Sequence, residues 1–169
     1  AGTESGNRMN LETFVQRNYM EKILRDANRR FRDMSNGQFE LKLINVEDAG
    51  EGKNKGLDLE VYSIVTGKTR SVNTLSGGES FMAALSLALG MADQIQAATA
   101  AIHLDVMFID EGFGSLSDNA RNEAVNILKE MAGKQRQIGI ISHVSELKDE
   151  IENQLIVKKD DRGSHISWR

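Results

Sequence analysis

The sequence contains no cysteine, which excludes disulfide bonds, thiolate metal ligands and a cysteine nucleophile. Only three histidines are present, His103, His143 and His165, so a zinc site is not expected. The longest apolar run, residues 81–92, is interrupted by Ser86 and is much shorter than the ~20 residues that cross a bilayer. We therefore expect a soluble protein without a membrane partner. The 169 residues suffice for one compact domain.

A P-loop is also missing. The tripeptide Gly67-Lys68-Thr69 resembles the end of the phosphate-binding motif G-x-x-x-x-G-K-[ST]. The first glycine of that motif would fall at Tyr62, and strand-like sequence flanks the tripeptide on both sides, so we interpret it as a hairpin turn. No other G-K-[ST] occurs in the chain, and any nucleotide chemistry would need a P-loop from another segment.

The N-terminal part of the chain divides into two segments. Residues 1–8 are mostly small and polar, and we expect a disordered lead-in or a cloning remnant. From Arg8 to Met34, seven basic side chains stand against four acidic ones, although the whole chain has a formal charge of −4. Apolar residues at steps of three and four predict a helix over about 9–35. Its apolar stripe fits either a helix packed on its own domain or the root of a coiled coil.

The remaining residues, 36–169, predict an α/β domain. Asn36 and Gly37 favour the end of the helix, and the alternation of apolar and polar residues then predicts half-buried antiparallel strands. After Asn73, apolar strands and helices alternate. The predicted elements are strands at 39–43, 57–61 and 69–72 around a Gly- and charge-rich loop at 47–56, a helix at 79–98, a strand at 106–109, a helix at 118–132, a strand at 137–141, a short helix at 145–151, and a hairpin of 154–158 and 165–168.

A Ser-Gly-Gly-Glu sequence, Ser76 to Glu79, precedes the long predicted helix. At a helix start, such residues offer backbone N–H donors, a hydroxyl and the positive end of the helix dipole, which together suit a phosphate. The same residues could equally form a loop and an N-cap, with Glu79 complementing the dipole.

Two predicted strands end in polar side chains. Asp110 and Glu111 follow one strand, and His143 follows the next one. Ligands of open α/β sheets gather at the carboxyl ends of strands. One carboxylate can hold Mg²⁺ through water while the second orients or deprotonates an attacking water, and a histidine can donate a hydrogen bond to a terminal phosphate. Taken singly, a solvated turn and a surface histidine are the more common settings of such residues.

The order of these motifs resembles that of the ATP-binding-cassette ATPases. Residues 75–79 are similar to the signature motif, Asp110 with Glu111 to Walker B, and His143 to the switch histidine. Residues 34–41 and 110–116 further resemble the C-terminal half of the SbcC family, the bacterial coiled-coil ATPases of DNA double-strand-break repair, and the resemblance covers about 9–169. The D-loop is matched by Ser115, Leu116, Ser117 and Asp118, with one departure, because the family's Ser-Leu-Asp is here Ser-Leu-Ser-Asp.

The resemblance implies the C-terminal lobe of an ABC-type ATPase head, with a coiled-coil-root helix and antiparallel strands before the signature helix. A separate N-terminal lobe would supply the P-loop across a long coiled coil, and two heads would close around ATP and Mg²⁺. The resemblance also implies an SbcD-like nuclease docked near the coiled-coil root, DNA as a partner, and a cytoplasmic, nucleoid-associated location. The isolated chain would have negligible ATPase activity, since most phosphate contacts would be missing.

The resemblance also implies a role for each matched residue. Asp110 would help to hold Mg²⁺, Glu111 would position the hydrolytic water, and His143 would contact the γ-phosphate. The residues that would face the ATP of the opposite head are Ser76, Gly77, Gly78 and Glu79. A basic face at the coiled-coil root would contact the nuclease or DNA phosphates. It would consist of Arg25, Arg29, Arg30 and Arg32.

Three other interpretations stay open from the sequence. Another branch of the superfamily, such as an SMC protein or a recombination ATPase, would share most motifs, although residues 112–114, Gly-Phe-Gly, favour SbcC. A non-enzymatic binding domain would use the same loops merely as turns. A transporter cassette is disfavoured by the coiled-coil entry helix and by the lack of an upstream P-loop.

Overall fold

The computed structural model describes residues 11–45, 57–98, 104–132 and 136–169, so the expected lead-in at 1–8 and the loop at 47–56 lie outside the described residues. The elements are α1 (Leu11–Met34), β1 (Phe39–Leu43), β2 (Leu59–Ser63), β3 (Lys68–Ser71), α2 (Gly77–Ala98), β4 (Val106–Asp110), α3 (Asp118–Ala132), β5 (Gln137–Ile141), α4 (Leu147–Glu150), β6 (Leu155–Asp160) and β7 (Gly163–Trp168). Short 3-10 turns, Val72–Thr74 and Phe113–Ser115, precede α2 and α3.

Helices α1 and α2 cross at Gly90. A Cβ atom at this position would lie 2.8 Å from the carbonyl oxygen of Ile23 and 3.2 Å from the Cβ of Ala27. Because glycine has no side chain, the two backbones approach each other closely at this point. Asp93, one turn further along α2, forms an ion pair of 2.6 Å with Arg30 of α1. The crossing therefore fixes α2, which carries the Ser-Gly-Gly-Glu sequence, against α1.

The predicted basic face of α1 is wrong at one of its four positions. Arg30 is buried, because it follows Ala27 by three residues and so shares the side of α1 that packs on the domain. Its guanidinium is bound to Asp93, which also pairs with Arg136 at 3.1 Å. Arg25 and Arg29 are exposed. The last predicted member, Arg32, is exposed but paired with Glu40 at 2.6 Å.

The antiparallel sheet β1-β2-β3 lies against α1. Leu41 of β1 pairs with Val61 of β2, both are buried, and Asn28 of α1 exchanges two hydrogen bonds with the backbone of Leu41. Strand β2 begins two residues later than predicted and extends to Ser63, because Ser63 pairs with Phe39. The Gly-Lys-Thr tripeptide lies in the turn between β2 and β3 and in the start of β3, as predicted.

The second half of the chain has the predicted α/β pattern. Strands β4 and β5 are parallel, β6 and β7 form the predicted hairpin, and α4 is shorter than the predicted 145–151. Ile109 packs into the core, whereas Val106 and Phe108 alternate with it on the opposite face and are exposed. The pleat of β4 thus has one buried and one exposed apolar face.

Helix α2 has the length and apolarity of a helix that could cross a membrane, with a mean hydropathy of 1.2 in its most apolar window. Its apolar side chains have a different role here, because Met82, Leu85 and Leu89 are buried in the domain core. The helix begins at Gly77, two residues before the predicted start, since Ser76 caps it.

Replacing Gly90 with valine is expected to destabilise the fold, because the new side chain would meet backbone atoms of α1 that cannot move aside. We expect a loss of about 2 kcal/mol in the free energy of unfolding, measured by denaturant titration of the chain. Ala88→Val, on the exposed side of α2, is the matched control and is expected to change the stability by less than ~1 kcal/mol. Equal stabilities of the two variants would contradict the close crossing.

Candidate nucleotide site

The carboxyl ends of β4 and β5 bring two predicted site residues together. The strands are parallel and in register, with Asp110 opposite Ile141, so the residues that follow both strands leave the sheet at one edge. The backbone N–H of Glu111 donates to the carbonyl of Ile141 at 2.8 Å, which continues the pairing beyond the strand. As a result, Glu111 and His143 become neighbours.

Glu111 and His143 are in direct contact. Oε2 of Glu111 lies 2.8 Å from Nδ1 of His143, and both side chains reach solvent. A carboxylate only accepts hydrogen bonds, so Nδ1 of His143 donates in this contact, and the 82% exposed ring leaves Nε2 accessible to another partner. A carboxylate beside a histidine, both open to solvent, is an arrangement that can orient a water next to a phosphate.

The backbone at Glu111 is strained. Its φ is +62°, in the left-handed region that a non-glycine residue rarely adopts, and Gly112 follows with φ +99°. A Cβ at Gly112 would overlap the ring of Phe81 on α2, so only glycine fits there. Phe81 also packs edge-on against the fully buried Phe113, with ring centroids 5.0 Å apart. A left-handed residue held in this way costs of the order of 1–3 kcal/mol, and such strain clusters at functional sites.

Asp110, the predicted metal ligand, is exposed at the end of β4. Across the described ranges, no group of three or more histidine or carboxylate side chains is close enough to hold a metal ion alone. Mg²⁺ in phosphoryl-transfer sites does not need such a group, because it uses one or two carboxylates together with phosphate oxygens and water. A single accessible carboxylate at this strand end therefore fits Mg²⁺ and fits a zinc-type site poorly.

The Ser-Gly-Gly-Glu sequence forms a capping box at the start of α2. The backbone N–H of Glu79 donates to Oγ of Ser76 at 3.3 Å, and the backbone N–H of Ser76 donates to Oε2 of Glu79 at 2.7 Å. Gly77 is the first residue of the helix, and Gly78 follows it. Both interpretations of this sequence are thus compatible with the structure, since a capped helix start still presents a hydroxyl and the positive end of the dipole.

The predicted D-loop leads into α3. Ser117 caps this helix, because its carbonyl accepts from the N–H of Arg121 at 2.9 Å and its Oγ accepts from the N–H of Ala120 at 3.4 Å. Asp118 is then the first helical residue, 88% exposed, and paired with Arg121. The departure from Ser-Leu-Asp therefore moves the acid to a position where it complements the dipole of α3.

The signature loop (75–79) and the D-loop touch within this chain. A Cβ at Gly78 would lie 2.6 Å from the carbonyl oxygen of Ser115, and a Cβ at Gly77 would lie 3.6 Å from the Cβ of Ser115. A cavity of about 590 Å³ opens beside them, lined by Glu79, Ser117 and the end of α1. Asp110, Glu111 and His143 do not line it. Of the predicted site residues, the cavity therefore borders only Glu79 of the signature loop and Ser117 of the D-loop.

Arg70 of β3 is a site residue that the sequence analysis missed. Its Nη2 lies 3.2 Å from Oε1 of Glu79, and its Nη1 donates to the carbonyl of Thr74 at 2.6 Å. The partial burial of Glu79 favours the neutral acid, but hydrogen bonds from Ser76 and Arg70 outweigh this effect and lower the pKa of the Glu79 carboxyl below its ordinary value. The available signal was the alternation of β3, which places Arg70 opposite the buried Val61.

Comparisons with known proteins show similarity to the SbcC proteins. Residues 54–130 match the family described as SbcC/RAD50-like, Walker B motif. The chain is 42% identical over 164 residues, 94% of its length, to the SbcC component of the SbcCD nuclease of Lactococcus lactis. It is 45% identical over 167 residues, 98% of its length, to the same protein of Vibrio cholerae. Together these matches support a C-terminal segment of an SbcC-type head. The chain spans only 15% and 16% of the lengths of these two SbcC relatives.

A solved structure agrees with the SbcC assignment at the level of the fold. This structure is described as "Structural biochemistry of ATP-driven dimerization and DNA stimulated activation of SMC ATPases". The TM-score is 0.69 at 19% sequence identity, over 93% of this chain and 89% of the solved chain. The predicted α/β lobe of an ABC-type ATPase head is thus confirmed. The much higher identity to SbcC than to this SMC structure supports the SbcC branch that residues 112–114 favoured.

Gly78→Ala is expected to displace the signature loop from Ser115, because the new methyl group would meet a backbone oxygen. We expect a loss of ~1–3 kcal/mol in the free energy of unfolding, seen as a fall of several degrees in Tm by calorimetry. Gly77→Ala is the matched control, since its methyl group would make an ordinary contact at 3.6 Å. A Tm fall in the control as large as that in Gly78→Ala would argue against this packing.

Proposed function

We propose that this chain is the C-terminal half of the ATPase head of an SbcC-type DNA double-strand-break repair protein. In the intact protein, ATP-driven pairing of two heads would regulate an SbcD-like nuclease on DNA ends. The observation that carries this proposal is the contact between Glu111 and His143 at the ends of two parallel strands. The relatives are named as components of the nuclease SbcCD, which supports the link to a nuclease.

The geometry of the strand ends suggests how the chain would take part in ATP hydrolysis. Oε2 of Glu111 accepts from His143, which leaves Oε1 to orient a water and to accept its proton. Nε2 of His143 would then contact an oxygen of the γ-phosphate. Asp110 would hold Mg²⁺ through water, and the ion would neutralise charge on the phosphates. The chain would be inactive alone, because its Gly-Lys-Thr tripeptide is a hairpin turn.

The contact between the signature loop and the D-loop supports a site shared between two heads. These loops contact each other and border a cavity that Glu111 and His143 do not line. In a pair of heads, Ser76, Gly77 and Gly78 would face the ATP held by Glu111 and His143 of the other copy, and the D-loop would lie between the two sites. Such an arrangement makes the second copy a required partner.

The exposed face of β4 and β5 supports a missing lobe of the same head. Val106, Phe108 and Ile141 are 50%, 72% and 54% exposed, and they share the face of the sheet that carries Asp110. Parallel strands are normally covered on both faces. The N-terminal lobe with its P-loop would cover this face and bring the phosphates to Asp110. An apolar surface that borders the metal ligand is suited to this occupant.

Helix α1 would link the head to its other partners. Its first half exposes Leu11, Phe14, Val15 and Tyr19, which suits a coiled-coil partner helix or the docked nuclease. The exposed Arg25 and Arg29 remain candidates for contact with DNA phosphates, whereas Arg30 does not. With these partners we propose a cytoplasmic, nucleoid-associated location.

Glu111→Gln tests the hydrolytic role. The chain is co-expressed with the N-terminal lobe of its parent, and ATP turnover and head pairing are measured by phosphate release and gel filtration. The wild-type pair is expected to hydrolyse ATP. The variant is expected to lose at least 100-fold in rate yet remain paired in ATP, because glutamine can hold a water but cannot take its proton. Glu152→Gln, on an exposed bend, is the control that keeps the wild-type rate. Nucleotide binding by neither complex would overturn the proposed function.

Phe108→Glu tests the surface for the missing lobe. Because Phe108 is exposed, the variant chain is expected to fold normally but to bury a charge when the lobe docks. Co-purification of the N-terminal lobe should fall at least tenfold. Phe14→Glu, which changes an exposed aromatic residue on α1, should leave co-purification intact. If both variants retain the lobe equally well, the lobe docks elsewhere.

A further inference from the structure

The capping box at the start of α2 determines which donors of the signature loop are available. The backbone N–H of Ser76 is occupied by Oε2 of Glu79, at 2.7 Å. The Oγ of Ser76 accepts from the backbone N–H of Glu79, and this bond uses only a lone pair. The hydroxyl proton of Ser76 is therefore still available for donation to an oxyanion.

The same capping box creates an electrostatic problem. Glu79 places a carboxylate beside the helix start that would otherwise attract an anion. Hydrogen bonds from Ser76 and Arg70 keep the pKa of this carboxyl low, so the group is ionised at neutral pH. An uncompensated negative charge next to Ser76 would repel a polyphosphate.

Arg70 compensates this charge from the neighbouring sheet. Its Nη2 lies 3.2 Å from Oε1 of Glu79, the carboxylate oxygen that Ser76 does not use. Its Nη1 donates to both the carbonyl and the Oγ1 of Thr74, at 2.6 and 3.0 Å, on the other side of the loop. The guanidinium also lies 5.3 Å from the ring centroid of Phe39. Four contacts thus hold one side chain across both ends of the loop.

We propose that Arg70 is a positioning residue of the signature loop, which cancels the charge of Glu79 and fixes the loop so that the Ser76 hydroxyl can donate to the terminal phosphate of ATP held by a second head. This inference rests on the proposed function. Arg70 acts through Glu79 and Thr74 and need not touch the nucleotide itself. Its removal leaves the capping box in place but restores a negative charge where the phosphate must arrive.

A purely structural clamp would behave differently when the side chain at position 79 is neutral. A glutamine introduced there can still accept from the N–H of Ser76 and carries no charge. If Arg70 acts mainly by neutralising charge, its loss should weaken ATP-dependent head pairing strongly when Glu79 is present. In the Glu79→Gln variant, the same loss should weaken pairing only slightly. Electrostatic repulsion is also screened by salt, whereas loss of a hydrogen-bonded clamp is much less so.

The experiment uses the full-length parent protein with its nuclease, and measures the ATP concentration for half-maximal head pairing together with KM and kcat for ATP. The variants are Arg70→Met, Glu79→Gln and the double variant. We expect Arg70→Met to raise the half-maximal ATP concentration and KM about tenfold, with kcat changed less than threefold. In the Glu79→Gln background, Arg70→Met should raise the half-maximal ATP concentration and KM less than threefold. Raising the salt concentration should reduce the effect of Arg70→Met.

Two further variants control for folding. Arg70→Lys retains the charge but not the paired donors, so it should restore most of the ATP affinity that Arg70→Met loses. Arg162→Met removes an arginine that is 86% exposed on the terminal hairpin, and it should match the wild type. If Arg70→Met does not fold, Arg70→Lys is compared with the wild type at low and at high salt instead. A charge role then requires that Arg70→Lys has near-wild-type ATP affinity at both salt concentrations.

The outcomes separate this inference from the function on which it rests. A wild-type complex that neither pairs nor hydrolyses ATP overturns both. A wild-type complex that responds to ATP, with Arg70→Met equal to wild type, overturns only the role of Arg70. A loss of affinity that is equal in the native and Glu79→Gln backgrounds, and insensitive to salt, identifies a structural clamp and overturns the charge role.

Discussion

The close crossing of α1 and α2 is the contact on which the rest of the structure depends. Gly90 allows the backbones to touch, and the ion pair of Arg30 with Asp93 fixes the relative position of the two helices one turn away. Helix α2 then positions two loops of the second half of the chain, because its Phe81 packs against the turn at Gly112 and its Gly78 packs against the D-loop. Sliding α2 along α1 would force backbone atoms together and break a largely buried ion pair, so the motifs keep fixed relative positions.

A second constraint is the parallel register of β4 and β5. It brings Glu111 and His143 together although they follow different strands. It also places the exposed apolar residues of both strands on the same face of the sheet. The positive φ of Glu111 occurs directly after β4, and Gly112, the next residue, packs against Phe81. The chemistry of the strand ends and the packing of the core are therefore set by the same few contacts.

The sequence predicted those features that local patterns determine. Periodicity indicated the order and type of the elements, and the polar residues after two apolar strands identified the edge where Glu111 and His143 meet. Features that depend on distant partners were missed. Arginine is normally exposed, so Arg30 was placed on a surface, and its partner Asp93 lies 63 positions away. The left-handed backbone of Glu111 and the link from Arg70 to Glu79 likewise depend on tertiary contacts that no local pattern encodes.

The exposed apolar face of β4 and β5 also affects how the chain behaves in solution. Two such faces from separate copies can bury each other, and the open edges of a short sheet are templates for further strands, so uncovered chains have a route to aggregation. The terminal hairpin adds Leu155, Val157, Ile166 and Trp168 to the exposed apolar surface. The isolated chain is thus expected to self-associate as its concentration rises, since burying these apolar surfaces against each other is favourable.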